Sequence, residues 1–204
     1  FRGDLQGLEN WSSKKDVLRD LKTMNLKLNF SYNPIKKTFL SGGNEKSEFT
    51  FKRPLFYLVK RGTMQNSMDQ GLKRQAIELK VKIHFNSKLN EKDAHIIATG
   101  PPTTSKIFVI DKGISFETNA DDMAVALINN NAAYKGYSYL LVSNRYGCMC
   151  TVVFGKTDLV HKCFKETKNI FNKLFDLKMK NQKNVGGCGY FNYEPNLVKN
   201  GRLY

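Results

Sequence analysis

Between Tyr137 and Leu177 a β-hairpin feeds directly into one long helix, and few folds end in that way. Two short apolar runs, Tyr137 to Ser143 and Cys148 to Phe154, are rich in β-branched and aromatic residues. Asn144 to Gly147 between them supplies turn chemistry, so the runs are expected to pair antiparallel. From Asp158 the period changes. Leu159, Val160, Cys163, Phe164, Thr167, Ile170, Phe171, Leu174 and Phe175 fall three and four apart, the spacing of an amphipathic helix over about 158–176. Asp158 is placed to cap it, and Lys162, Lys165, Lys168 and Lys173 lie off the apolar stripe, so one face should lie down on a surface.

Upstream, strand signals follow one another without the alternating helices that a parallel sheet needs. Leu26, Leu28, Phe30 and Tyr32 alternate with Lys27, Asn29 and Ser31. Ile77, Leu79, Val81, Ile83 and Phe85 alternate with Glu78, Lys80, Lys82 and His84, the most regular strand signature in the chain. Lys37 to Leu40 reads as a short strand, Phe49 to Arg61 as a bulged or edge strand because it contains Pro54, and Gly62 to Gly71 as a loop. Ala94 to Thr99, Ile107 to Ile110, Ile114 to Glu117 and Met123 to Ile128 continue the rhythm, broken by Gly100-Pro101-Pro102 and by Asp111-Lys112-Gly113. A short helix is indicated from Ser13 to Thr23, capped by Ser12 or Ser13. The expected class is all-β: an eight-stranded up-and-down antiparallel barrel with a C-terminal α-helix packed on its outside. Closure would remove the open edges of so many consecutive strands, and a Lys- and Gly-rich tail over 178–204 would lie along the barrel.

A chain of 204 residues is enough for a single domain with one core. Its 33 Lys and Arg against 18 Asp and Glu give a net charge of +15, which attracts polyanions. Lys and Asn are abundant together, however, as a compositional bias of the surface would make them, and strand alternation separates Leu79, Val81 and Ile83 from the lysines. No specific nucleic-acid partner is expected. No run approaches the ~18 apolar residues of a membrane-spanning helix, so no integral membrane association is expected either. The chain opens on Phe1 rather than Met, as a processed form would. Four cysteines, Cys148, Cys150, Cys163 and Cys188, crowd into the last third. A bond between Cys148 and Cys150 would strain the strand that carries both, so disulfides joining strand, helix and tail in one of two ways are the favoured expectation. A zinc site, which would lack paired C-x-x-C spacing, and free thiols are the alternatives. Disulfides would place the protein in a secreted or lumenal compartment.

In its strand-to-helix ending the chain resembles the lipocalin family. Gly155-Lys156-Thr157-Asp158-Leu159 is similar to the family's third motif, with Lys156 where arginine is usual. Thr118-Asn119-Ala120-Asp121-Asp122-Met123 before an apolar strand looks like a loosened second motif, and Gly7 with Trp11 stands for the Gly-x-Trp of the first at a different separation. The resemblance, to the apolipoprotein D and bacterial branches, implies a secreted carrier of a small hydrophobic ligand. A lipid or fatty acid is the first expectation, haem or another tetrapyrrole the second.

The residues themselves show no catalytic constellation. His84, His95 and His161 sit on different elements, Asp121 and Asp122 point opposite ways on an extended segment, and Gly42-Gly43 and Gly186-Gly187 lack the Lys-Ser or Lys-Thr and the helix of a phosphate loop. No enzyme activity, cofactor or metal is therefore expected. Inward members of the barrel strands, Leu28, Phe30, Tyr32, Leu79, Val81, Ile83, Val125 and Tyr139, would line a ligand cavity. A basic nucleic-acid-binding β-barrel and an interaction protein with a filled barrel are the competing readings, and a homo-oligomer is compatible with each.

Overall fold

A computed structural model describes residues 4–98, 107–191, 198–199 and 202–203; the expected break at Gly100-Pro101-Pro102 lies outside them. In chain order the elements are β1 (Leu5–Glu9), α1 (Val17–Thr23), β2 (Tyr32–Ile35), β3 (Lys37–Ser41), β4 (Lys46–Thr50), β5 (Phe56–Lys60) and α2 (Met68–Glu78). Then follow β6 (Ile107–Glu117), β7 (Met123–Leu127), β8 (Tyr137–Ser143), β9 (Tyr146–Phe154), α3 (Val160–Leu174) and β10 (Lys180–Phe191), with a short pair, β11 (Val198–Lys199) and β12 (Arg202–Leu203). A small sheet of three antiparallel strands runs β1-β5-β2, and a large sheet of seven runs β10-β6-β9-β8-β7-β3-β4. In the large sheet β3 and β7 pair in parallel. Neither main sheet closes on itself, so the all-β closed barrel is corrected to a mixed α/β architecture with open sheets and, among the described residues, three α-helices.

The hairpin and helix form where their sequence puts them. Asn144 and Arg145 both adopt positive φ, 51° and 60°, as a tight two-residue connection requires, and set Tyr139 opposite Cys150 and Leu140 opposite Met149. Alternation then sends Leu140, Val142 and Met149 to one face, where Ile170 and Phe171 of α3 bury against them together with Val125 and Leu127 of β7. Asp158 does not cap α3. It lies in a 3₁₀ turn, Thr157–Leu159, that leads into the helix. Beneath α3 the β7–β8 connection is fully buried at Ala132, whose carbonyl accepts from Thr167 Oγ1 at 2.9 Å and from Thr151 Oγ1.

The opposite face of the large sheet is covered by the small one. Ile35 and Leu58 pack on Ala124 and Leu141, while Val59, alternating to the far side of β5, meets Leu21 of α1 and Phe30. The layers therefore run α3, large sheet, small sheet, then α1 with α2.

The two cleanest alternations are not strands of a barrel. Leu26 to Ser31 lies along α2: Gln75 Oε1 accepts the Lys27 N–H at 2.9 Å, Gln75 Nε2 donates to the Asn25 carbonyl at 2.6 Å, and Arg74 Nη2 donates to the Asn29 carbonyl at 2.6 Å. One buried glutamine thus does what a neighbouring strand would do. Gly71 lets α2 come this close, since a Cβ there would stand 2.4 Å from Asn29 Oδ1. The second alternation begins inside a helix. Ser67 Oγ accepts the Gln70 N–H at 3.2 Å and starts α2, which continues to Glu78 through residues expected to be loop and strand. Asp111-Lys112-Gly113 is likewise no turn but the middle of β6, and Gly186-Gly187 lies within β10, so part of the expected tail is an edge strand of the large sheet.

All four cysteines are free, which corrects the disulfide expectation. Cys148 and Cys150 lie on the face of β9 toward the small sheet, whereas Cys163 packs with Val153 on the α3 side, so the sheet itself separates them. The supposed first motif is local packing: a Cβ on Gly7 would stand 2.9 Å from the Phe56 ring, and Trp11 stands edge-on to that ring, exposed. The supposed second motif is a loop tie, with Asp122 accepting the Asn144 N–H at 2.7 Å and Asn33 Nδ2 at 2.6 Å.

Candidate functional site

A cavity of about 1090 Å³ opens beside β1, the edge strand of the small sheet. Where β1 crosses the large sheet the two are in contact, Cys148 Sγ donating to the Leu5 carbonyl at 3.7 Å. The cavity is walled by Tyr137 and Tyr139 of β8, Val109 and Asp111 of β6, and Val152 and Phe154 of β9. Asp4 and Gln6 close one side, Val160 and His161 in the first turn of α3 another, and Asn184 to Gly189 of β10 a third.

Register explains the meeting. Tyr137 pairs with Val152, Val152 with Asp111, and Asp111 with Gly187, so one row of side chains crosses four strands on one face. The next row runs Tyr139, Cys150, Gly113 and Val185. Glycine is required in it, because a Cβ on Gly113 would stand 2.2 Å from Cys150 Sγ.

Burial dominates the electrostatics. It pushes the Asp4 carboxyl up to about 6; the Arg61 guanidinium opposes the rise and the Asp111 carboxyl adds to it. Asp4 Oδ1 is inaccessible to solvent and has no hydrogen-bond partner among the described residues. Arg61 is held elsewhere: its Nε and Nη2 donate to Asp69 at 2.8 and 3.1 Å, and its Nη1 to Gln6 Oε1. Asp111 is also raised by burial, with a hydrogen bond from the Gly187 backbone offsetting part of the rise. Burial holds the Tyr139 phenol far above its ordinary range, with Cys150 and Cys148 adding, and raises Tyr137 less strongly. Burial also pushes the Cys150 thiol up to about 12. The cavity therefore combines a carboxyl pushed up to about 6, a second carboxyl raised by burial, and two phenols that keep their protons. Such a set can accept and donate protons to a small organic molecule held against an apolar wall.

Of the eight residues expected to line a ligand site, only Tyr139 lines this cavity. Leu28 and Phe30 pack in the layer of α1 and α2, and Tyr32 stands edge-on to Phe30 and Tyr57 on β2. Leu79, Val81 and Ile83 follow α2 and are exposed, and Val125 is buried under α3 on the opposite face of the large sheet. Their common set depended on barrel closure. Sequence reasoning missed Asp4, Asp111 and Tyr137 and gave His161 no role; it is exposed, at the cavity's rim. Among the described residues no group of three or more His, Cys, Asp or Glu side chains is placed to hold a metal ion.

No family model matches the chain, and no curated protein matches it. Among solved structures the chain is similar to the flavin-dependent brominase Bmp2, with a TM-score of 0.51 and 13% identity, covering 96% of this chain and 60% of that one. The chain thus spans less than two thirds of the brominase's length. At this identity the likeness is one of fold. With the two open sheets, it overturns the lipocalin assignment and the secreted-carrier function drawn from it, together with both barrel-based alternatives. The expectation of no enzyme activity is corrected as well, to a fold shared with a flavin-dependent enzyme.

Proposed function

We propose that this chain forms the substrate chamber of a flavin-linked enzyme, and that the cavity under Tyr137 and Tyr139 receives a small organic molecule with an aromatic or apolar body. The observation that carries this reading is the row Tyr137, Val152, Asp111 and Gly187 facing Asp4: an apolar wall with carboxyls and phenols converging on one space. The fold likeness supplies the enzyme class.

A flavin dinucleotide places its pyrophosphate on a Gly-rich turn at a helix N-terminus, where amides and the helix dipole favour negative charge. Among the described residues the helix starts carry carboxylates instead: Asp16 caps α1, Asp69 lies in the first turn of α2, and Asp158 lies just before α3. Gly42 and Gly43 lie between β3 and β4, and Gly186 and Gly187 lead into no helix. The described residues do not fit the phosphate part of the cofactor. The chemistry assigned to this chain is therefore its own: Asp4 takes a proton from the bound molecule near neutral pH, Tyr139 donates a hydrogen bond without ionising, and Val109, Val152 and Phe154 exclude water.

Ligand-observed saturation-transfer NMR with phenol, phenethylamine and phenylacetate tests the chamber. A Cβ at Gly189 meets nothing within 4 Å, so Gly189→Leu fills cavity volume without disturbing the sheet. At least one probe should show transfer with the unmodified chain and lose it in Gly189→Leu at unchanged thermal midpoint. Absence of transfer for all three, or equal transfer in the variant, would overturn the reading.

A further inference from the structure

We infer that the molecule received by this chamber is an organic cation, a primary or secondary amine protonated at nitrogen, held by Asp4 and Asp111 against the rings of Tyr137 and Tyr139. The inference rests on the substrate-chamber reading above and adds the charge of the molecule that enters.

The cavity is acidic inside a basic protein. The chain carries 33 Lys and Arg against 18 Asp and Glu, yet Asp4 and Asp111 both line the cavity and Lys112 is the one lysine or arginine among its lining residues. Lys112 does not answer the carboxyls. Alternation along β6 sends its side chain to the other face with Ile110 and Ile114, which pack on the α3 side, while Asp111 faces the cavity. His161 is exposed at the rim. Arg61, the cation whose charge reaches Asp4, has its Nε and Nη2 on Asp69 and its Nη1 on Gln6. Asp4 Oδ1 is out of solvent and accepts no hydrogen bond from the described residues.

A buried carboxyl oxygen without a donor is costly, and a second carboxyl nearby adds repulsion. An ammonium group relieves both, since its N–H groups donate charge-assisted hydrogen bonds and its charge lies between the two acids. A phenol or an alcohol offers one O–H and no charge, so the repulsion stays. The walls suit the same ligand. Tyr137 and Tyr139, two residues apart on β8, have ring centroids 6.4 Å apart with planes at 35°, and aromatic faces attract a cation. Space is left beside the acid: β10 sets Gly187 opposite Asp111 and Gly189 opposite Val109, and a Cβ on Gly189 would meet nothing within 4 Å. A metal ion is the wrong cation here, because it needs several ligands and no group of three such side chains is placed for one among the described residues.

The test titrates phenethylamine, 2-phenylethanol and phenylacetate, which share a body and differ in charge, by calorimetry into the unmodified chain, Asp4→Asn, Asp111→Asn and the double variant. The amine should bind the unmodified chain about tenfold tighter than the alcohol, and phenylacetate should bind weakest. Each single variant should cut the amine-over-alcohol ratio by about threefold or more, and the double variant should abolish it, with the alcohol's affinity within about twofold throughout. The single substitutions are close to isosteric and are checked by thermal midpoint, so a double variant that fails to fold leaves the ratio readable in them. Alcohol or phenylacetate binding as tightly as the amine, or a ratio unchanged in both single variants, would overturn the inference and leave the chamber reading standing. Binding of no probe at all would overturn both.

Discussion

Asp4→Asn probes the electrostatics of the cavity directly. Burial raises this carboxyl from 3.8 to about 6, with Arg61 opposing and Asp111 reinforcing the change. At 1.36 kcal/mol per pKa unit the rise is worth about 3 kcal/mol, and because the group keeps part of its contact with solvent, screening reduces that to about 1–2 kcal/mol. The folded carboxyl holds its proton to higher pH than the unfolded one, so between about pH 4 and about pH 6 the folded state binds more protons and stability falls as pH rises. Above that window the cost is fully present. Urea unfolding across the range should therefore show the unmodified chain losing about 1–2 kcal/mol more than Asp4→Asn between about pH 4 and about pH 7. At neutral pH the asparagine variant should be the more stable of the two. An identical pH slope in both proteins, or a variant less stable at neutral pH, would refute the claim that Asp4 is buried without adequate compensation.

Thiol titration of unfolded, unreduced protein should find four reactive groups, and of the folded protein one fast-reacting group, Cys188, because Cys148, Cys150 and Cys163 are buried. Gly113→Ala should destabilise by more than about 2 kcal/mol in thermal or urea unfolding, its Cβ meeting Cys150 Sγ and the Met149 carbonyl at 2.2 Å, while Gly189→Ala should stay within about 0.5 kcal/mol of the parent. Thr167→Val should cost about 1–2 kcal/mol in the same assay, since it removes the hydroxyl that bonds the Ala132 carbonyl at 2.9 Å and Ser138 Oγ at 2.7 Å in a buried network.

Where sequence reasoning held, local chemistry was enough. The turn at Asn144 and Arg145 demands positive φ, the apolar stripe of α3 spans four turns, and β7 is a short apolar run bounded by turn residues. It failed where a side chain replaced a strand. Leu26 to Tyr32 alternates well enough to be a strand, but its backbone groups are met by Gln75 and Arg74 of a helix more than forty residues on. It failed again at Ile77 to Phe85, where a period of two begins inside the last turn of α2; the capping serine at Ser67 was the signal that a helix starts, and Gly71 within that helix hid it. Asp111-Lys112-Gly113 has turn composition in the middle of a strand, because Gly113 is there for close packing against Cys150 and Asp111 for the cavity.

The cavity was illegible for a different reason. Its pairs are long-range: Asp4 and Asp111 come together only because β1 lies over the large sheet, and Tyr137 shares a row with Gly187 only through two intervening strands. No spacing in the chain records either fact. What the sequence does record is the cost of the arrangement. A carboxylate at the centre of an eleven-residue strand, between Ile110 and a lysine-glycine step, lowers β-propensity and gains nothing from packing. Such a residue is explained by what it faces. On β6 the position opposite Val152 and Gly187 faces open space, two strand pairings away from Tyr137, and a carboxyl there marks the wall of a chamber in the middle of a sheet where composition alone suggested a turn.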